Sequence, residues 1–234
     1  MPYVIPPSPV VGLPVDGTDA LFPVRRVYCV GRNYAAHVRE MGFDPSREPP
    51  FFFCKPNDDA SVVPVPAGTV ATLPYPPQTG DYHYEAELVV AIGQGGRDIA
   101  VEQAAQHIYG YAAGLDMTRR DLQIAARDKG RPWETGKAFD YSAPIGPLRR
   151  RADVGALDGA SLVLEVDGQV RQQSTTAHLI WSVEEIISRL SALFALEAGD
   201  LVFTGTPEGV GAVSPGQTLA LRIDGLAPLA ARIA

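Results

Sequence analysis

The stretch YHYEAELVVAIG, residues 82–93, decides the fold of this chain. It is rich in residues that favour β-strands and Gly93 ends it, so it predicts a strand. Its second half, 88–92, is an uninterrupted run of five apolar residues. Such a run is typical of a strand that is buried on both faces.

Further elements are predicted on both sides of this strand. Asp167-Gly168 suits a type I′ turn in a hairpin over 161–172, and Ser182 with Glu185 forms a capping box before a helix at 183–195. A similar pattern at Thr118–Asp121 predicts the start of another helix, and a short one follows a loop within 31–42. Other strands are predicted at 24–30, 51–54, 108–116 and 217–223, near 228–233, and before the glycine-rich loop that ends at 211.

These elements predict a β-dominated α+β chain. The 23 glycines and 21 prolines among 234 residues indicate many turns and few helices. Six prolines fall within residues 1–23, which predicts an extended N-terminal lead, followed by a single catalytic domain over 24–234. Cys29 and Cys54 are expected to be reduced thiols in or near the core.

Charge and hydropathy narrow the classes of function. The formal net charge of -7 and the pI near 5.1 make nucleic acid an unsuitable partner. The N-terminus has no pattern of a signal peptide and no stretch is apolar enough to span a bilayer, so no membrane partner is predicted. We therefore expect a cytoplasmic protein.

Glu85 and Glu87 are candidate metal ligands. They lie two residues apart on the predicted strand, so both side chains should point to one face. Two buried carboxylates repel each other and lose hydration unless a cation compensates, and oxygen ligands suit Mg²⁺, Mn²⁺ or Ca²⁺. On spacing alone, exposed glutamates at a sheet edge that pair with lysine or arginine are the favoured alternative.

Asp116 and the pair His37 and Glu40 are further candidates. Asp116 follows an apolar strand, where a ligand can project into a cleft, although a turn or capping aspartate is the more common case. His37 and Glu40 are spaced i and i+3 on the predicted short helix. A histidine oriented by a carboxylate is suited to activate water near neutral pH, whereas a surface ion pair is an equal alternative.

Basic residues lie close in sequence to each of these acids. In so acidic a protein this pattern suggests a local anion pocket, in which guanidinium and ammonium groups bind a carboxylate, whereas an ordinary solvated charge is an equal alternative for any one of them. The basic residues are Arg32, Lys55, Arg119, Arg120 and Lys137.

Six ordered blocks resemble the fumarylacetoacetate hydrolase family, and they cover the chain from about Val24 to the C-terminus. Within that family the chain is similar to the short, single-domain members that hydrolyse acylpyruvates. The blocks are GRNYAAHVREMG at 31–42, FFFCKP at 51–56, HYEAELVVAIG at 83–93, GLDMTRRDLQ at 114–123, GKAFD at 136–140 and GDLVFTGTPEGVG at 199–211.

The resemblance implies mixed β-sheets rolled around a central active site, in a homodimer. It implies that Glu85, Glu87 and Asp116 bind Mg²⁺ or Mn²⁺, for which Ca²⁺ would be only a crystallisation substitute. Longer members add a further aspartate ligand that has no match here. The implied catalytic residues are His37, Glu40 and Lys137, and the implied substrate-binding residues are Arg32, Lys55, Arg120, Gln123 and Thr206.

The implied reaction is hydrolysis of a C–C bond in a small anionic 2,4-diketo acid, with fumarylpyruvate as the expected substrate and fumarate and pyruvate as products. His37 would deprotonate the water that attacks C4, the C3–C4 bond would break, and Lys137 would stabilise the pyruvate enolate. The alternatives are oxaloacetate decarboxylation, or isomerisation or dehydration of a 2-oxo acid. A binding module with a structural metal is a further alternative, from a different class.

Overall fold

The computed structural model describes residues 2–42 and 48–234. Its strands are β1 Gly12–Pro14, β2 Leu21–Pro23, β3 Arg26–Gly31, β4 Phe51–Lys55, β5 Val62–Pro64, β6 Val70–Leu73, β7 Tyr82–Tyr84, β8 Ala86–Ile92, β9 Ile108–Leu115, β10 Thr118–Arg119, β11 Ala143–Ile145, β12 Arg149–Arg150, β13 Ser161–Val166, β14 Gln169–Thr175, β15 Asp200–Phe203, β16 Gly211–Ala212, β17 Thr218–Ile223 and β18 Leu229–Ile233.

Helices are few and short. The α-helices are α1 Ala35–Glu40, α2 Val101–Ala104, α3 Arg120–Asp128, α4 Glu134–Lys137, α5 Arg151–Val154 and α6 Val183–Leu193, and single 3₁₀ turns lie at Ala105–His107 and Thr176–His178. None of the described helices combines the length and apolar character needed to cross a membrane.

A curled, mixed sheet of eight strands forms the body of the protein. Its order is β4-β3-β15-β8-β9-β11-β5, with β12 also paired to β9. Two of its pairings are parallel, β15 with β3 and β11 with β5, and the others are antiparallel. A five-stranded sheet, β14-β13-β17-β18-β6, and a three-stranded sheet, β10-β7-β16, accompany it. The β-dominated α+β class with rolled mixed sheets is confirmed.

Strand β8 separates two hydrophobic cores. Leu88, Val90 and Ile92 pack into the larger cluster, with residues of the five-stranded sheet and of α6. Val89 and Ala91 point the opposite way, into a second cluster. Each fully buried valine, leucine or isoleucine side chain stabilises the fold by about 1.5–3 kcal/mol relative to an exposed one. The prediction that this strand is buried on both faces is therefore confirmed.

The proline-rich N-terminal region contributes two short strands. Residues 2–10 are exposed, whereas β1 and β2 pair antiparallel. Leu13 and Phe22, one on each strand, are buried in the second core cluster. The cysteines form no disulfide: Cys29 is buried as expected, but Cys54 is exposed, so the prediction of a core location was wrong for that residue.

Several local predictions are confirmed. Helix α6 begins with both hydrogen bonds of the Ser182–Glu185 capping box, although it ends at Leu193 rather than at 195. Asp167 and Gly168 connect β13 and β14 with φ angles of 50° and 76°, which suit a type I′ turn.

Other local predictions were wrong. The capping box at Thr118–Asp121 does not form, because the Thr118 hydroxyl donates to the carbonyl oxygen of Asp116 and α3 begins only at Arg120. The Asp121 carboxylate instead accepts from the Thr79 hydroxyl at 2.6 Å. Strand β4 is only partly buried, and two short strands, β5 and β6, lie between it and β7 along the chain.

Candidate active site

The stretch that decides the fold is two strands rather than one, and Glu85 lies at the break between them. β7 pairs with β10 in the three-stranded sheet, whereas β8 pairs with β9 in the main sheet. Asp116 lies at the corresponding gap between β9 and β10, and its backbone N–H donates to the Glu85 carbonyl oxygen at 2.9 Å. The chain therefore passes from one sheet to the other at two acidic residues.

Three carboxylates converge at this junction. Glu85, Glu87 and Asp116 each offer an oxygen, and these oxygens lie within 4.8 Å of one another. The three residues are 5%, 2% and 1% exposed. The alternative of exposed glutamates at a sheet edge is therefore wrong, because these acids are buried together.

Two cations bind Glu85. Lys137 Nζ lies 2.7 Å from its Oε2, and the Arg120 guanidinium lies 2.5 Å from its Oε1. Burial opposes ionisation of this carboxyl, but Lys137 and Arg120 outweigh it and hold the pKa of Glu85 well below its usual range. Lys137 also donates to Asp116 Oδ2 at 2.7 Å, so its ammonium group bridges two of the three acids.

Lys55 supports Asp116 from behind. Its Nζ lies 2.8 Å from Asp116 Oδ1 and donates to the backbone carbonyls of Met117 and Lys137. The Lys55 side chain is fully buried. It is not among the described residues that line the cavity in front of the three acids. The structure therefore places this predicted substrate-binding residue behind the wall of the site.

Glu87 has a weaker set of partners than its neighbours. Its Oε2 accepts from the Gly205 N–H at 2.6 Å. Gly205 has a φ of 101°, and a Cβ there would lie 2.8 Å from the Asn33 Cβ, so this donor depends on a glycine. Burial, followed by the charges of Asp116 and Glu85, raises the pKa of Glu87 well above its ordinary value.

The donor set fits a divalent cation with a preference for oxygen. Three buried carboxylates converge on one point, and Glu87 has no cationic side chain at hydrogen-bonding distance among the described contacts. The described hydrogen bond to the Glu87 carboxylate is the one from Gly205 to Oε2, so Glu87 keeps acceptor capacity beside the other two acids, as a hard cation requires.

His37 and Glu40 form a hydrogen-bonded pair on α1. His37 Nδ1 lies 3.2 Å from Glu40 Oε2, and both Glu40 oxygens also accept from the Gly209 N–H at 3.1 Å. His37 is 7% exposed and lines the central cavity. With Glu40 accepting from Nδ1–H, the lone pair lies on the other ring nitrogen, Nε2.

One cavity of about 510 Å³, including its open mouth, connects the three acids with His37. Of the residues proposed to bind substrate, Arg32, Arg120, Gln123 and Thr206 line it. Its described lining is Val30, Gly31, Arg32, His37, Met41, Phe53, Glu85, Glu87, Asp116, Arg120, Gln123, Ile124, Arg127, Trp133, Lys137 and Thr206.

Hydrogen bonds fix several of the polar side chains that line the cavity. Arg120 donates to Gln123 Oε1 at 2.5 Å, one turn along α3. The Thr206 hydroxyl donates to the Ala86 carbonyl oxygen at 3.0 Å and accepts from Gln172 at 2.9 Å. Arg119, included in the predicted anion pocket, instead stacks over the Phe139 ring at 4.4 Å and lies outside the described cavity lining.

Seven residues of the described lining were not predicted as site residues: Val30, Gly31, Met41, Phe53, Ile124, Arg127 and Trp133. A signal existed for Arg127, because it follows Arg120 by seven residues and therefore shares its helix face. No comparable signal exists for Trp133, which lies between α3 and α4 and reaches the cavity only through tertiary packing.

The fold and the site define a family. Residues 26–234 match the family model described as fumarylacetoacetate (FAA) hydrolase C-terminal, and the chain belongs to this family. It is 49% identical over 186 residues to the fumarylpyruvate hydrolase of a Ralstonia species, an alignment that covers 80% of this chain and 93% of that protein.

The chain is also similar to a solved structure and to a second enzyme of known activity. A crystal structure of fumarylpyruvate hydrolase from Pseudomonas aeruginosa, in complex with Mn²⁺ and pyruvate, superimposes with a TM-score of 0.97 at 61% identity and covers 100% of this chain and 99% of that one. The mitochondrial oxaloacetate decarboxylase of Dictyostelium discoideum is 40% identical over 202 residues, covering 86% of this chain and 90% of that protein.

Proposed function

We propose that this protein is a metal-dependent hydrolase that cleaves fumarylpyruvate to fumarate and pyruvate. One observation carries the proposal: three buried carboxylates suited to a dication line the same cavity as His37, whose Nδ1 is hydrogen-bonded to Glu40. The similarity to fumarylpyruvate hydrolases over nearly the whole chain supports this substrate.

Glu85, Glu87 and Asp116 would hold Mg²⁺ or Mn²⁺. The Mn²⁺ of the similar Pseudomonas structure supports a divalent ion of this kind. When bound, such an ion supplies Lewis-acid polarisation of the 2-oxo group and electrostatic stabilisation of negative charge. Three protein ligands leave positions open for water and substrate.

His37 is the base for hydrolysis. Glu40 fixes the ring through Nδ1, so Nε2 can accept a proton from a water molecule in the cavity. The resulting hydroxide attacks the C4 carbonyl of the diketo acid. The C3–C4 bond then breaks, its electron pair passes to the pyruvate fragment as an enolate, and protonation of C3 completes pyruvate.

Lys137 and Arg120 supply positive charge where the enolate forms. Both are buried beside Glu85, where a charge acts more strongly than in water. The burial of Lys137 lowers its proton affinity, but Asp116 and Glu85 outweigh this effect and raise the pKa of Lys137. The ammonium group therefore stays charged at neutral pH.

A panel of substrates tests the proposal. Metal-loaded protein is assayed by absorbance with fumarylpyruvate, acetylpyruvate, fumarylacetoacetate and oxaloacetate. We expect the highest kcat/KM with fumarylpyruvate and no turnover in EDTA. Equal inactivity towards all diketo acids, by protein that binds the metal, contradicts the proposal.

Oxaloacetate decarboxylation is the second candidate. The 40% identity to an oxaloacetate decarboxylase favours it, and the reaction needs the same enolate stabilisation. It does not require a base that activates water. Loss of His37 would therefore abolish hydrolysis and spare decarboxylation, which separates the two functions in one variant.

The assembly and setting of the enzyme are also part of the proposal. We expect a cytoplasmic homodimer that acts in gentisate breakdown. Exposed apolar side chains in the N-terminal segment, among them Tyr3, Val4 and Ile5, support a partner surface. Light scattering after gel filtration would give about twice the chain mass of 25.0 kDa.

A further inference from the structure

One face of α3 lines the cavity. Arg120, Gln123, Ile124 and Arg127 follow the spacing i, i+3, i+4 and i+7, and all four line the cavity. Arg120 contacts Glu85 at the carboxylate cluster. Arg127 lies two turns further on, a rise of about 10 Å along the helix axis.

Arg32 reaches the same cavity from another element. It follows β3 with a φ of 58°, a left-handed conformation that is uncommon for a residue other than glycine. Strained backbone of this kind persists where the surrounding structure holds it and often marks a functional position. The guanidinium lies over the Phe51 ring, 5.7 Å from its centroid.

Arg32 and Arg127 influence each other electrostatically. Burial, followed by the charge of Arg127, lowers the pKa of Arg32, while Glu48 opposes this change. Arg127 pairs with Asp128, whose side chain is mostly exposed. The acids in the described lining are Glu85, Glu87 and Asp116, all in the carboxylate cluster, so the two arginines provide the cavity with positive charge away from that cluster.

We propose that Arg32 and Arg127 form a distal carboxylate subsite, which binds the terminal carboxylate of a dicarboxylic acylpyruvate. This inference rests on the proposed function and names the residues that select its substrate. Paired guanidinium groups are well suited to bind a carboxylate.

The length of the substrate agrees with this placement. Fumarylpyruvate has two carboxylates at the ends of a seven-carbon chain, a span on the order of 7 Å from bonds of about 1.5 Å. A molecule with its keto-acid end at the carboxylate cluster would extend its other end towards Arg127. The four carbons of oxaloacetate are too few to reach both ends, so the subsite favours the longer diacid.

The test compares two substrates that differ only at the far end. Crotonylpyruvate keeps the carbon skeleton of fumarylpyruvate and has a methyl group in place of the distal carboxylate. For Arg127→Gln and Arg32→Gln we expect kcat/KM with fumarylpyruvate to fall by about 10–100-fold, mainly through KM, because a charged hydrogen bond is lost. With crotonylpyruvate it should change by less than about threefold. Arg131→Gln, an exposed arginine just beyond α3, is the matched control.

A binding measurement separates this inference from the proposed function. Calorimetry of Mn²⁺-loaded protein should show that Arg127→Gln weakens fumarate binding by about tenfold and leaves pyruvate binding unchanged. If the wild-type protein hydrolyses neither acylpyruvate, the proposed function fails, and the fumarate titration still decides the subsite. Equal losses with both substrates, or unchanged fumarate affinity in the variants, overturn the subsite.

Discussion

Glu85 and Asp116 face each other across an interrupted β-ladder, joined by a 2.9 Å hydrogen bond from the Asp116 N–H to the Glu85 carbonyl oxygen. Their side chains also share one ammonium group, that of Lys137. The backbone hydrogen bond fixes the separation of the two backbone segments, and Lys137 holds the two carboxylates on the same side. The proposed metal site thus lies at the point where the two sheets separate.

Metal binding should stabilise the protein. At a free Mn²⁺ concentration of 100 Kd, linkage predicts a gain of about 2.7 kcal/mol, or roughly 5–10 °C in Tm. Glu87→Gln should weaken metal binding by at least about tenfold, because one ligand loses its charge. Differential scanning fluorimetry and calorimetry measure both effects. The exposed Glu102→Gln serves as the matched control, and equal metal affinity in the two variants would show that Glu87 is not a ligand.

The His37–Glu40 pair should act in chemistry rather than in metal binding. His37→Ala is expected to lower kcat for acylpyruvate hydrolysis by about 10²–10⁴-fold, the range for loss of a general base. Glu40→Gln should produce a smaller loss, since the ring remains present but is less well oriented. Stopped-flow kinetics and metal titration give the two readouts. His107→Ala, whose ring contacts only a backbone carbonyl among described partners, is the control; full activity of His37→Ala would remove the dyad from the mechanism.

Lys137 should contribute more to the stability of the metal-free protein than to that of the metal-loaded protein. In the absence of metal its ammonium group compensates two buried carboxylates. Lys137→Met should therefore destabilise the metal-free protein by about 3–5 kcal/mol, as removal of one partner of a buried ion pair does. With Mn²⁺ bound, the dication supplies part of the lost compensation and the penalty should be smaller. Urea unfolding with and without metal measures the difference, and the exposed Lys129→Met is the control. Equal penalties would contradict this account.

The stability of the metal-free protein should fall as pH rises through the pKa of Glu87. The pKa of this carboxyl is raised in the folded state above its ordinary 4.5 by burial and by Asp116 and Glu85. Between 4.5 and the raised value, the folded state binds more protons than the unfolded state, so the free energy of unfolding decreases with pH. Chemical unfolding in EDTA across this window measures the slope, which Glu87→Gln should reduce. Metal affinity should rise over the same window, because the metal needs the ionised carboxylate.

Gly205 should be required for the placement of Glu87. Gly205→Ala introduces a Cβ 2.8 Å from that of Asn33 at a positive φ, and the shift displaces the N–H that binds Glu87. We expect a loss of about 1–3 kcal/mol in stability together with weaker metal binding. Gly216→Ala is the matched control, since its φ is also positive but its Cβ would meet nothing within 4 Å. Unaltered metal affinity in Gly205→Ala would separate this backbone contact from the site.

Local patterns in the sequence predicted much of the architecture. The Ser182–Glu185 box and the Asp167-Gly168 turn are confirmed because each depends on contacts within a few residues. The pattern at Thr118–Asp121 was wrong for a tertiary reason: Asp121 accepts from Thr79, 42 residues away, and no local rule includes that partner.

The candidate acids were also visible from the sequence, but their environment was not. Spacing placed Glu85 and Glu87 on one face, and could not distinguish an exposed edge from a buried cluster. Burial of both beside Asp116 follows from the pairing of β8 with β9, whose register is a long-range contact. No local pattern predicts that one strand ends and the next begins at Glu85, because residues that favour strands continue on both sides of it.

By itself, the sequence determined that the strand through 88–92 is buried on both faces, where α6 begins, and which side chains are candidates for the chemistry, because period, turn and capping rules act over neighbouring residues. Tertiary structure alone decided that His37, Glu85 and Lys137 face one cavity, that Lys55 lies behind it, and that Arg127 and Arg32 both line it. The physical reason is that these residues are brought together by sheet register and core packing. Both are collective properties of the folded chain, and no short segment encodes them.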